Sequence, residues 1–162
     1  MDLRRLRAGE WIAGVAGLVL LVSLFKPWYE LAGIVEVTGF QAFDIYDVLL
    51  VGLALAGMSL VVVTANQKSP AMGIALDGLT SIFALVMSIL LVIRVLKLPG
   101  DLDHPTTERM TFLWVGLAAT FGVLVGAVVA MRDERLSKPG RWTDSTGAPV
   151  DEPPEIETIS SP

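Results

Sequence analysis

The sequence predicts an all-α membrane protein: a four-transmembrane-helix antiparallel bundle with a short β-hairpin-like extracytoplasmic loop. Three observations predict it. The chain has 162 residues, of which 53% are hydrophobic. Its apolar residues gather into four runs near the ~20 residues that cross a hydrocarbon core, which a soluble domain of this size does not need. Turn residues and most charges fall between the runs. The expected spans are about 10–26, 45–65, 70–97 and 110–131, after a basic N-terminus at 1–9 and before a largely disordered tail at 132–162.

Residues 1–8 carry Arg4, Arg5 and Arg7, and residues 11–25 are apolar up to Lys26-Pro27. A signal peptide has a similar start, but no small-x-small cleavage site follows. Trp28 and Tyr29 come next, as expected where a retained helix meets the outer interface. Gly9, Ala13 and Gly17 repeat every four residues, a small-residue seam of the kind that lets membrane helices pack closely.

The loop at 27–46 is rich in β-formers. Residues 29–31 and 34–37, separated by Ala32-Gly33, read as a hairpin. Two strands alone are marginal, so the hairpin is expected to rest on helix ends or lipid. Thr38 and Gln41 have capping-box spacing, which predicts a helical turn over 39–43 with Phe40 and Phe43 facing membrane or hairpin. Asp44 and Asp47 are expected to cap the second span and pair with its dipole. That span, at 48–65, is uncharged and holds a second small pair, Gly52 and Ala56. The short link through Lys68 makes spans two and three antiparallel neighbours.

Ser69-Pro70 is a start signal for the third span: a capping hydroxyl followed by proline where no amide is needed. Gly73, Asp77, Ser81, Ala84 and Ser88 form one small, polar stripe, expected to face other helices, with hydroxyls free to bond across. Asp77, Ser81 and Ser88 are the candidate polar intramembrane site. The functional reading of Asp77 is a proton or cation site. The structural reading is an acid near a helix N-terminus, bonded to Thr80, Ser81 or a basic residue. No second intramembrane carboxylate or histidine is apparent, which favours the structural reading. Arg94, near the far boundary, is expected to snorkel to phosphates.

Residues 97–111 hold Asp101, Asp103, His104 and Glu108 in a spacing that matches no metal-ligand motif, so a solvated turn is expected, with Thr106 or Thr107 capping the last helix. The fourth span carries Ala118, Gly122, Gly126 and Ala130, four apart. Its GxxxG serves packing inside the bundle or self-association, and the former is favoured. Trp11, Trp28, Tyr29, Arg94 and Trp114 are the expected interface anchors. Arg132, Arg135, Lys138 and Arg141 follow the span beside Trp142, a cluster suited to anionic lipid. The acidic, proline-containing end beyond Asp151 has the composition of a disordered tail.

Four short runs, Ser23-Leu-Phe-Lys-Pro-Trp-Tyr, Gly39-Phe-Gln-Ala-Phe-Asp, Thr64-Ala-Asn-Gln-Lys-Ser-Pro-Ala and Met131-Arg-Asp-Glu, resemble a group of small uncharacterised bacterial four-span membrane proteins, actinobacterial in type. The resemblance covers most of residues 10–135 and implies a fold without an activity. The layout is also similar to claudin-type tetraspans, by analogy of arrangement alone.

With four spans both termini share a side. That side holds Arg4, Arg5, Arg7, Lys68, Arg132, Arg135, Lys138 and Arg141, against Lys26, Arg94, Lys97 and Arg109 opposite, so both termini are expected in the cytoplasm of a bacterial inner membrane. Without cysteine there is no thiol chemistry, and a single histidine limits metal chemistry. His104 with Glu108, or Glu30 with Glu36, are the best pairs for an enzyme, and both are poor. The expectation is therefore a non-catalytic scaffold or accessory subunit without a cofactor. Its expected partners are the lipid bilayer and a homo-oligomer or larger membrane complex, not nucleic acid. The alternative is a small oligomeric transporter or channel using Asp77.

Overall fold

A computed structural model describes residues 6, 8–42, 44–66, 70–98 and 100–135. Its order is α1 (Ala8–Leu24), β1 (Pro27–Leu31), β2 (Val35–Thr38), α2 (Gly39–Ala42), α3 (Asp44–Asn66), α4 (Pro70–Leu96), a 3-10 turn (Gly100–Leu102), β3 (Thr107–Arg109) and α5 (Thr111–Arg135). The Ser69 cap, the N-terminal arginines, Lys68, Phe43 and the tail beyond 135 lie outside the described residues.

Three helices are long and apolar enough to cross a membrane, over Ile45–Asn66, Ala75–Leu96 and Thr111–Arg132. Each of these 22-residue stretches reaches about 33 Å, against a hydrocarbon core of about 30 Å. The first apolar helix is shorter: its 17 residues reach about 25 Å, and Pro27, with no amide to give, follows its tightened end. There the Phe25 and Lys26 amides donate to the Val22 and Ser23 carbonyls, closing the last turn.

Among the described residues, α1 packs along α5 and α3, and α4 packs along α5 and α3. Neighbours around the bundle therefore run α1, α5, α4, α3, with α3 and α5 meeting only weakly across the centre. Around an apolar core the outer surface is itself largely apolar, unlike that of a soluble bundle, and several polar groups are buried. Val15, Leu18, Val22, Val48, Leu55, Ile82, Leu85, Ile89 and Val125 are exposed, while Glu10, Asp47, Asp77, Thr80, Ser88 and Thr120 are buried. In water that arrangement wastes apolar area and desolvates charge; in hydrocarbon it minimises both costs.

The loop reading is corrected in two respects. The hairpin is part of a three-stranded antiparallel sheet, β2-β1-β3, whose third strand comes from the segment read as a solvated turn. Its backbone groups needed partners, and the free edge of β1 supplies them. Thr107 lies in that strand, donating its hydroxyl to the Leu102 carbonyl at 2.8 Å, and α5 starts at Thr111, so neither Thr106 nor Thr107 caps it. The β1–β2 turn has two left-handed residues, Ala32 (φ 52°) and Gly33 (φ 70°), closed by the Ile34 amide on the Leu31 carbonyl at 3.0 Å. Paired positive φ values match the right-handed twist of the flanking strands. Gln41 closes half the capping box, accepting from the Thr38 amide at 3.3 Å.

Candidate functional site

The described chemistry lies at the two ends of the bundle, with a groove on its side. At the sheet end, β1 turns two consecutive aromatics inward. A register shift between Pro27 and Tyr29 breaks the alternation, and Trp28 and Tyr29 are both fully buried. A bulge re-aims side chains in this way. Neither aromatic is therefore an interface anchor; the helix end leads directly into the sheet, and the sheet caps the core. The Trp28 indole donates to the Ser23 carbonyl at 2.7 Å, and its ring fills the space beside Gly39 and Gly116. Any β-carbon at Gly39 would stand 2.7 Å from Trp28 Cε2.

Arg94 lies with its guanidinium 4.7 Å from the centre of the Tyr46 ring, half-buried. A partly exposed cation over an aromatic face is stabilised by about 1 kcal/mol. Arg109 donates from Nε to the Val95 carbonyl at 3.0 Å, joining β3 to the end of α4. Burial pushes the Tyr29 phenol up to about 12, with Arg109 and then Arg94 pulling the other way. Asp47, in the first turn of α3, is buried. On the sheet's other face, Glu36, Glu30 and Glu108 stand in register across the three strands.

At the opposite end, Asp77 on α4 and Glu10 on α1 are each only 1% exposed. Glu10 escaped the sequence reading because it sits at the edge of an apolar run beside the basic N-terminus. The signal was its spacing: it lies three residues before Ala13, on the small-residue face. Ala13, Leu60 and Ala127 pack together with Leu76 against them, so Asp77's neighbour and Glu10's face meet the same layer. Glu10 lies in the first turn of α1, where the dipole favours an anion, whereas Asp77 is the eighth residue of α4 and beyond that influence. The hydroxyls do not bridge helices as the stripe implied. Ser81 donates to the Gly78 carbonyl at 2.8 Å and Ser88 to the Ala84 carbonyl at 2.7 Å, each within α4. This back-bonding satisfies the hydroxyl where no partner carbonyl is available.

The small residues set how the helices meet. Gly126 lies on the backbone of Ala13, and a β-carbon there would be 2.8 Å from Ala13 Cα. Gly122 faces Ala16, Gly9 faces Ala130, and Gly17 faces the Ala54 carbonyl. On α3 the tight position is Gly57, against the Ala13 carbonyl, and not Gly52, which has only ordinary contact with Phe83. Trp11 and Trp114 are about half exposed on the bundle surface. Between α1 and α5 an open groove of about 500 Å³ is lined by apolar side chains, including Trp11, Val15, Val19, Ala118 and Gly122.

His104 is exposed in its loop and Glu108 lies on β3, while Glu30 and Glu36 are cross-strand partners. Among the described residues no group of three or more acidic or histidine side chains is placed to hold a metal ion. No protein-family model matches the chain, and no curated protein or solved structure matches it.

Proposed function

We propose that the chain is a four-span, non-catalytic integral protein of the bacterial cytoplasmic membrane, with both termini cytoplasmic, acting as a scaffold or accessory subunit that packs against partner helices. The observation that carries this reading is the outward apolar face on α1 as well as on the three longer helices. A short α1 lined outward by Val15, Leu18 and Val22 fits a slightly thinned or locally adapted bilayer, at a cost of fractions of a kcal/mol per Å. Extensive aliphatic surface on several sides of the bundle offers faces for other helices, where small residues and shape, not hydrophobicity, select the partner. Chemical crosslinking in native membranes, followed by blue-native gels, tests the role. A defined oligomer or larger complex is expected; a monomer alone overturns it.

Two separately buried carboxylates, Glu10 on α1 and Asp77 on α4, favour a second reading, a small oligomeric transporter or channel. Two carboxylates in one end of a bundle are the minimal means to pass a proton or hold a cation. If this reading holds, Asp77→Asn in liposomes lowers proton or cation flux about tenfold or more, equivalent to about 1.4 kcal/mol on the barrier. Unchanged flux removes Asp77 from any pathway.

A further inference from the structure

We propose that Arg94 and Arg109, at the sheet end of the bundle, form a site for a singly charged phosphate, supplied by the headgroup of an anionic phospholipid in the leaflet on that side. The lipid source rests on the membrane-spanning reading above.

Three separate segments bring the site together. Tyr46 is the second residue of the apolar stretch Ile45–Asn66, Arg94 is the third from the end of Ala75–Leu96, and Arg109 stands two residues before Thr111–Arg132. All three therefore lie within two residues of one hydrocarbon boundary, the level at which long basic side chains meet lipid phosphates. Arg109 is the cross-strand partner of Tyr29, and its Nε donates at 3.0 Å to the carbonyl of Val95, the residue after Arg94. That carbonyl belongs to the last turn of α4, where the helix supplies no partner. The guanidinium of Arg109 is thus pinned beside the end of α4. Both arginines act on the one buried Tyr29 phenol, so their charges converge there.

Donor chemistry selects the ligand. The Tyr46 ring attracts the Arg94 cation but offers no lone pair to its five N–H groups. Among the described residues no hydrogen bond or ion pair engages Arg94, and the bond to Val95 is the one hydrogen bond of Arg109. Half-buried donors without an acceptor are costly. Water meets the donors but not the charge. Even with Asp47 ionised beside Tyr46, the two guanidiniums leave a net positive charge, and Lys97, exposed three residues beyond Arg94, adds to it. Glu108 and Glu30 alternate with Arg109 and Tyr29 along their strands, so the acidic row belongs to the other face of the sheet. A phosphate supplies several acceptor oxygens and a negative charge, which guanidinium forks match in geometry as well as charge.

The test uses the full chain in a neutral maltoside detergent with a few equivalents of dioleoylphosphatidylglycerol, or of the corresponding phosphatidylcholine. Phenylglyoxal then modifies accessible arginines, which are mapped by mass spectrometry. Phosphatidylglycerol is expected to slow modification of Arg94 and Arg109 about tenfold relative to phosphatidylcholine, a difference of about 1.4 kcal/mol in affinity. Arg132, exposed at the opposite end, should be unchanged. In native mass spectra, bound phosphatidylglycerol should be lost from Arg94→Gln and from Arg109→Gln and kept in Arg132→Gln. Arg94→Lys, which keeps the charge without the fork, should retain it more weakly. Inorganic phosphate alone separates the sources. Protection only by the phospholipid supports the headgroup, whereas equal protection by free phosphate keeps the anion site and overturns its lipid source. Equal reactivity in the two lipids, equal protection of Arg132, or undiminished retention in both Gln variants would overturn the proposal. Should the Gln variants fail to fold, the arginine map on the unmodified chain decides alone. Carbonate extraction of native membranes separates the two failures. Release of the chain overturns the spanning reading and the lipid source with it; retention with unprotected arginines overturns the site alone.

Discussion

Tyr29 shows how one side chain reports the closure of the sheet on the bundle. Its phenol is fully buried, and burial raises its pKa from 10.0 to about 12, despite Arg109 and Arg94. The folded value lies above the unfolded one. The stability tied to the neutral phenol is therefore complete below pH 10 and is lost as pH climbs toward about 12. In a Tyr46→Phe background, where Tyr29 is the remaining tyrosine, ultraviolet titration should give a midpoint near 12, and unfolding in detergent should restore it to near 10. A midpoint near 10 in the folded protein would mean that the sheet stands clear of the helix ends. Burial of this residue was not legible in the sequence: alternation would bury Trp28 or Tyr29, and only the irregular register of β1 buries both.

At the scale of elements, the α1–α5 seam and the sheet make separate predictions. Gly126 has no room for a β-carbon against Ala13, so Gly126→Ala should destabilise the protein by about 1–3 kcal/mol through forced separation of the helices. Gly78, with nothing within 4 Å, is the control: Gly78→Ala should be neutral or stabilise by up to about 1 kcal/mol through helix propensity. Thermal melts of both variants in one detergent check the pair. In the sheet, Glu36, Glu30 and Glu108 face one another in register, and like charges directly opposite are destabilising. Glu30→Gln should therefore raise the melting temperature, by an amount equivalent to about 0.2–1 kcal/mol, with the gain shrinking in high salt. A loss of stability would assign the row a compensating cation or partner. The four-residue spacing of small residues announced close packing, but not its pairing. Gly57, and not Gly52, proved to be the tight position on α3, because the rotation of a helix about its axis is set by all its neighbours together.

For the whole molecule, the short α1 makes topology the decisive measurement. The absence of cysteine gives a clean background for single-cysteine labelling. Ile34→Cys, 84% exposed at the hairpin turn, should react with an impermeant maleimide from outside intact cells. Asp2→Cys and Ser160→Cys should both require permeabilisation. If Asp2→Cys labels from outside while Ser160→Cys does not, α1 fails to cross and the chain has three spans.

What the sequence by itself determined were the apolar helices, their antiparallel succession and the β character of the first loop. These follow from local quantities: run length against membrane thickness, short links, and side-chain shape. Only tertiary structure decided that β3 joins the sheet, that Arg94 lies over Tyr46, and that Glu10 and Asp77 are buried in the same end of the bundle. Each of these depends on which distant segment comes within a few ångströms, where a backbone edge, an aromatic face or a shared apolar layer changes the free energy of a group whose own sequence neighbourhood leaves it undecided.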